Sequence, residues 1–103
     1  MHRTVEDKIT ELAVICRQRG VRRLALFGSA ARDQFDASTS DLDFLVEFDA
    51  MPPVRHAISY FGLIEDLERL FGRPVDLIEP DTIRNPYFRQ AVEETQVAVY
   101  DLA

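Results

Sequence analysis

Val5, Ile9, Leu12 and Cys16 recur at helical spacing and predict one amphipathic helix over residues 4 to 19. Thr4 would cap it, with Asp7 three residues on, and Gly20 would stop it. The apolar run from Val21 to Phe27 predicts a strand. It breaks at Gly28-Ser29 into a tight turn, a short helix and a polar loop, before a second apolar run ends near Phe48 as another strand. Residues 49 to 53 form a loop, in which Pro52-Pro53 suits a helix start. The helix predicted from about Val54 to Phe71 carries Ala57, Phe61, Ile64, Leu67 and Phe71 on one face, and Arg55, Glu65, Glu68 and Arg69 on the other. Gly62 inside it costs ~1 kcal/mol against alanine, which points to a neighbour packing close. Gly72 ends it. Val75 to Glu79 predicts a third strand, Pro80 to Asn85 a turn, Pro86 to Glu94 a helix with Tyr87, Phe88, Ala91 and Val92 as its apolar residues, and Val97 to Tyr100 a last strand at a sheet edge or against a partner.

The candidate chemistry sits where the second strand begins. Side chains two apart on a strand share a face, so Asp41 and Asp43 project together while Leu42 and Phe44 face the other way. Two neighbouring carboxylates repel without a counter-charge; a hard divalent cation such as magnesium is the usual remedy. Gly28 lets the backbone approach a ligand closely, and Ser29 with the amides after it opens a helix whose free N–H groups favour phosphate. A phosphate turn beside a carboxylate pair is a site for a metal–nucleotide complex. Asp76 is a lone acid opposite Val75 and Leu77; it reads either as a solvent-facing edge residue or as part of the same site. Cys16 lies on an apolar stripe and reads as a core hydrophobe, and His56 as a solvated surface residue.

At 103 residues the chain is sized for a single domain, residues 1–103. A net charge of −6 disfavours non-specific binding to nucleic acid or an anionic membrane, both of which want a basic footprint. The single cysteine allows no internal disulfide, consistent with a reducing, cytoplasmic location. Neither a signal-peptide apolar region nor a stretch of ~20 apolar residues is visible in the sequence.

Three blocks in order carry a family resemblance: Phe27-Gly28-Ser29-Ala30-Ala31-Arg32, then Ser40-Asp41-Leu42-Asp43-Phe44-Leu45-Val46, then Leu70-Phe71-Gly72-Arg73-Pro74-Val75-Asp76-Leu77. The pattern resembles the DNA polymerase β-type nucleotidyltransferases, and in its small size the minimal nucleotidyltransferase (MNT) antitoxins of HEPN/MNT toxin–antitoxin pairs. Two features depart from it: Asp33 stands where relatives usually have glycine, and the spacer over residues 30 to 40 is about one residue longer than the commonest form. The resemblance implies an α/β fold, a small mixed β-sheet with helices packed on one face. It implies a magnesium site at Asp41, Asp43 and Asp76, with Asp76 activating or orienting the attacking hydroxyl, and ATP held at Gly28 and Ser29.

Arg32 reads either as a further phosphate ligand or as a surface partner of Asp33 or Asp36. The implied reaction is transfer of AMP from ATP to a tyrosine of a partner HEPN ribonuclease toxin, which silences it. The alternatives are an antitoxin that acts by occlusion without catalysis, and a small-molecule nucleotidyltransferase. Arg32 to Ser40, with Phe35 at its tip or folded back into the core, and the Tyr87-Phe88 segment are the candidate partner contacts. A homo-oligomer is compatible with the small core.

Overall fold

The computed structural model describes residues 1, 3–31 and 41–102, with the Ser29 side chain excepted. The elements are α1 (Arg3–Glu6), α2 (Ile9–Arg19), β1 (Val21–Phe27), β2 (Leu42–Phe48), α3 (Pro53–Phe71), β3 (Val75–Ile78), α4 (Pro86–Thr95) and β4 (Val97–Asp101). The strands form one sheet in the order β3-β2-β1-β4. β1 runs antiparallel to β2 and β4, while β2 and β3 are parallel, joined by the α3 crossover. The sheet is therefore mixed, as expected, and β4 lies at its edge.

Strand alternation divides the apolar residues between two faces. Leu24, Leu26, Leu42, Phe44, Val46, Val75 and Leu77 point to one side, where they meet Val5, Leu12 and Cys16 below and Leu63, Leu67 and Phe71 of α3. The Phe44 and Phe71 rings lie 6.0 Å apart within this core. The expected helical layer is thus made by α2 and α3. The other face is also covered: Ala25, Phe27 and Leu45 pack with Ile78, Ile83 and Val92, so α4 lies on the side opposite α2 and α3. That second face is the one from which Asp43 and Asp76 project.

The predicted helix over residues 4 to 19 is two pieces. Lys8 N–H donates to the carbonyl of Val5, an i→i+3 bond that tightens the chain at Asp7-Lys8 and separates α1 from α2. Thr4 lies inside α1 and is not a cap, yet Val5 keeps its place on the stripe with Leu12 and Cys16. Gly20 ends α2 in the left-handed region.

The α3 face also differs from the one expected. Ser59, Leu63, Leu67 and Phe71 are buried, with Tyr60 and Ile64 packed beside them, while Ala57 is exposed and Phe61 is 64% exposed. Both phases are apolar at helical spacing. The selected one brings the Tyr60 hydroxyl to the Leu77 carbonyl at 2.6 Å and Glu68 to the Val75 N–H at 3.1 Å. Two backbone groups of the edge strand β3 are thereby satisfied by α3. The close neighbour of Gly62 is Arg19, whose guanidinium crosses it to reach Asp66 at 2.7 Å and ties α2 to α3. His56 is not simply solvated: its Nε2 lies 2.6 Å from a Glu79 oxygen and its ring meets Phe48 edge-on.

Candidate active site

β1 ends at Phe27, which pairs with Asp43 of β2. The next residue, Gly28, has φ +74°, a backbone conformation that side-chain-bearing residues rarely adopt. A Cβ there would lie 2.6 Å from the Asp43 Oδ2. Gly28 is thus required twice, for its dihedral and for the carboxylate pressed against its backbone. Gly28–Ala30 forms a single 3-10 turn. The amides of this tight turn are the described part of the phosphate reading, and the short helix expected after it falls outside the described residues.

The parallel register of β2 and β3 sets Asp43 directly beside Asp76. Leu42 pairs with Val75 and Phe44 with Leu77, so the apolar sides lock that register into the core and leave the two acids together on the opposite face. The register leaves two acids as neighbours with no cation between them among the described residues. Burial first, then the Asp76 hydrogen bond, then the negative charges of Asp76 and Asp41 push the Asp43 carboxyl up to about 6. Asp41, one residue before β2, is exposed and reaches the pair through its field. Arg32 lies outside the described residues, as do Asp33, Asp36, Phe35 and Ser40; Ser29 is placed by its backbone in the turn.

Gly28, Asp43 and Asp76 open into a cavity of ≈ 380 Å³ whose further walls are Phe27, Ile78, Phe88, Ala91, Val92 and Thr95. The apolar wall comes from α4, with Phe88 edge-on to Phe27 at 6.1 Å. In the sequence α4 is an ordinary amphipathic segment; only its packing on the second sheet face brings it to the carboxylates. Cys16 is remote from this chemistry: burial pushes its thiol up to about 12, so it is inert, as expected.

The donor set fits a magnesium–nucleotide complex. Asp43 beside Asp76, its carboxyl pushed up by burial and by the negative charges of Asp76 and Asp41, marks a site short of positive charge. Among the described residues no group of three or more acid, histidine or cysteine side chains closes into a ready-made cage. Magnesium is commonly held in this way, by one or two carboxylates completed by substrate phosphates and water.

Comparison with known proteins agrees with this geometry. The family model described as "Nucleotidyltransferase domain" matches residues 9–99. A Methanocaldococcus jannaschii protein named "Putative protein adenylyltransferase MJ1379" is 42% identical over 79 residues, 77% of each chain. A second protein of that organism, with the same naming, is 38% identical over 79 residues, 77% of this chain and 76% of its own. A solved structure described as a "putative minimal nucleotidyltransferase" superposes with a TM-score of 0.75 at 28% identity, covering 94% of this chain and 95% of its own. A structure of a tri-AMPylated Shewanella oneidensis HEPN toxin with its MNT antitoxin shares the fold, with a TM-score of 0.62 at 16% identity over 93% of this chain and 71% of the matched one. With the family model spanning nearly all of its sheet and helices, the chain belongs to the nucleotidyltransferase domain family.

Proposed function

We propose that this chain is a magnesium-dependent protein adenylyltransferase that moves AMP from ATP to a tyrosine hydroxyl of a HEPN-type toxin and so acts as its antitoxin. Residues 1–103 serve as one catalytic unit in the cytoplasm. The observation that carries the reading is the meeting of Gly28, Asp43 and Asp76 at one cavity. The names of the M. jannaschii relatives and the toxin–antitoxin assignments of the structural neighbours support it.

In this reading the Gly28–Ala30 turn presents backbone amides to the outer phosphates, with the Ser29 hydroxyl and Arg32 as further ligands. Asp41, Asp43 and Asp76 would hold magnesium, which would neutralise the crowded carboxylates and the triphosphate. Asp76 orients the acceptor. The phenol oxygen attacks the α-phosphorus and forms a new P–O bond. The α–β bridging bond breaks, pyrophosphate leaves with the electron pair, and the phenolic proton passes through Asp76 to water. The protein's share is positioning and charge, which suffices for in-line transfer.

The test is co-expression with the product of the adjacent reading frame, followed by co-purification, Mg-ATP treatment and intact mass. A partner heavier by one or more AMP units, only with Mg-ATP and not with Asp43→Asn/Asp76→Asn, supports the proposal. An unmodified partner overturns transfer. Neutralisation kept by the double variant assigns the antitoxin effect to binding alone.

A further inference from the structure

The catalytic cavity does not stop at α4. Phe88 stands as a partition, with the carboxylate cavity on one side and a second groove of ≈ 600 Å³ on the other, lined by Ile78, Thr82, Ile83, Arg84, Asn85 and Phe88. Ile78 and Phe88 belong to both. Ile78 follows Asp76 by two positions on the same face of β3, so the groove begins ~7 Å from the carboxylate pair at a strand rise of ~3.3 Å per residue.

The groove is built rather than loose. Arg89 donates to the carbonyl of Ile83 at 2.6 Å and pins the Pro80–Thr82 turn to α4. The Thr82 hydroxyl closes the same turn by donating to the carbonyl of Glu79 at 2.8 Å. The α4 N-terminus, which otherwise attracts phosphate, is already satisfied: the Asn85 side-chain oxygen accepts from the N–H groups of Tyr87 and Phe88. Phe88, 41% exposed, makes the lip apolar, with the exposed Tyr87 next to it in the chain, and exposed Arg84 adds one cation. An apolar, rigid, amide-satisfied groove with a cationic rim suits polypeptide better than nucleotide.

We propose that this groove seats the backbone of the acceptor protein beside its modified residue, an apolar side chain lying against Ile78 and Phe88 and an acidic one against Arg84. The inference rests on the adenylyltransferase reading and adds to it a reason for acceptor choice. A phenol carries its hydroxyl farther from the backbone than a serine or threonine does, so from a backbone lying in the groove a tyrosine extends furthest toward the carboxylates.

Phe88→Ala, Arg84→Glu and Tyr87→Ala test it, with the adjacent reading frame's product as acceptor and Mg-ATP binding measured separately by calorimetry. Each replacement raises the acceptor KM by about tenfold; kcat and Mg-ATP affinity are little changed in Arg84→Glu and Tyr87→Ala, while Phe88, which also walls the carboxylate cavity, is read by its acceptor KM alone. Arg84→Lys retains the wild-type KM where Arg84→Glu does not. Unchanged acceptor KM in all three variants, with the wild type active, overturns the groove and leaves the reaction standing. A wild type with no transfer at all overturns both. A Tyr-to-Ser acceptor modified at the wild-type rate overturns the reach argument.

Discussion

Asp43 and Asp76 stand side by side on parallel strands, paired in register on one face of the sheet. The Asp43 carboxyl titrates near pH 6, above the usual carboxylate range near 4, because the fold buries it against a second acid. The folded state thus binds the proton more tightly than the unfolded chain. This contribution to stability is fully present below about pH 4 and is lost as pH rises through about 6. In the proposed reaction magnesium would take the proton's place as the counter-charge. The melting temperature should therefore rise little with magnesium at pH 5 and clearly at pH 7.5, and Asp76→Asn should flatten the difference. An equal magnesium effect at both pH values would count against a shared site. Thermal melts at four or five pH values, with and without MgCl2, suffice.

Gly28→Ala is expected to abolish most activity. The substitution forces a Cβ into a left-handed backbone and onto the Asp43 carboxylate. The strain is of order 1–3 kcal/mol, and relieving it moves either the turn or the carboxylate. Both outcomes weaken Mg-ATP binding, measured by calorimetry. Wild-type affinity and turnover in this variant would show that the turn takes no part.

The part of the site that the sequence made legible was the part written locally. Gly28 and the Asp41-x-Asp43 alternation are short-range patterns, and the turn and strand they predict are present. That Asp76 stands beside Asp43 depends on a strand pairing across 32 intervening residues, and only the apolar register of Leu42 with Val75 fixes it. The α3 phase is ambiguous in the sequence because Ala57 and Phe61 repeat at the same helical interval as the residues that are buried. What decides between the phases is the need of the β3 edge for Tyr60 and Glu68, a tertiary demand. The His56–Glu79 contact and the α4 wall were invisible for the same reason.

Gly62 gives a sharper test of packing. In an isolated helix, alanine is favoured over glycine by ~1 kcal/mol. Here a Cβ meets the Arg19 guanidinium and dislodges it from Asp66. Gly62→Ala should be close to neutral in the wild type but stabilising by about 1 kcal/mol in an Arg19→Ala background. Additive effects in denaturant titrations of the four chains would mean that Arg19 simply moves aside with its ion pair intact.

The β3 edge makes the last prediction. An edge strand exposes unpaired backbone groups that invite another strand. Here the Tyr60 hydroxyl donates to the Leu77 carbonyl and Glu68 accepts from the Val75 N–H, so side chains of α3 occupy the places a fifth strand would take. Tyr60→Phe removes one of these bonds while keeping the ring, and should lower stability by about 1 kcal/mol. Glu68→Ala removes the other. Asp43 and Asp76 face away from α3, so neither change touches the carboxylate pair directly. The double variant should therefore keep Mg-ATP binding while it self-associates, seen as earlier elution in size exclusion and rising light scattering with concentration. If it stays as dispersed as the wild type, the edge is guarded by something other than these two side chains.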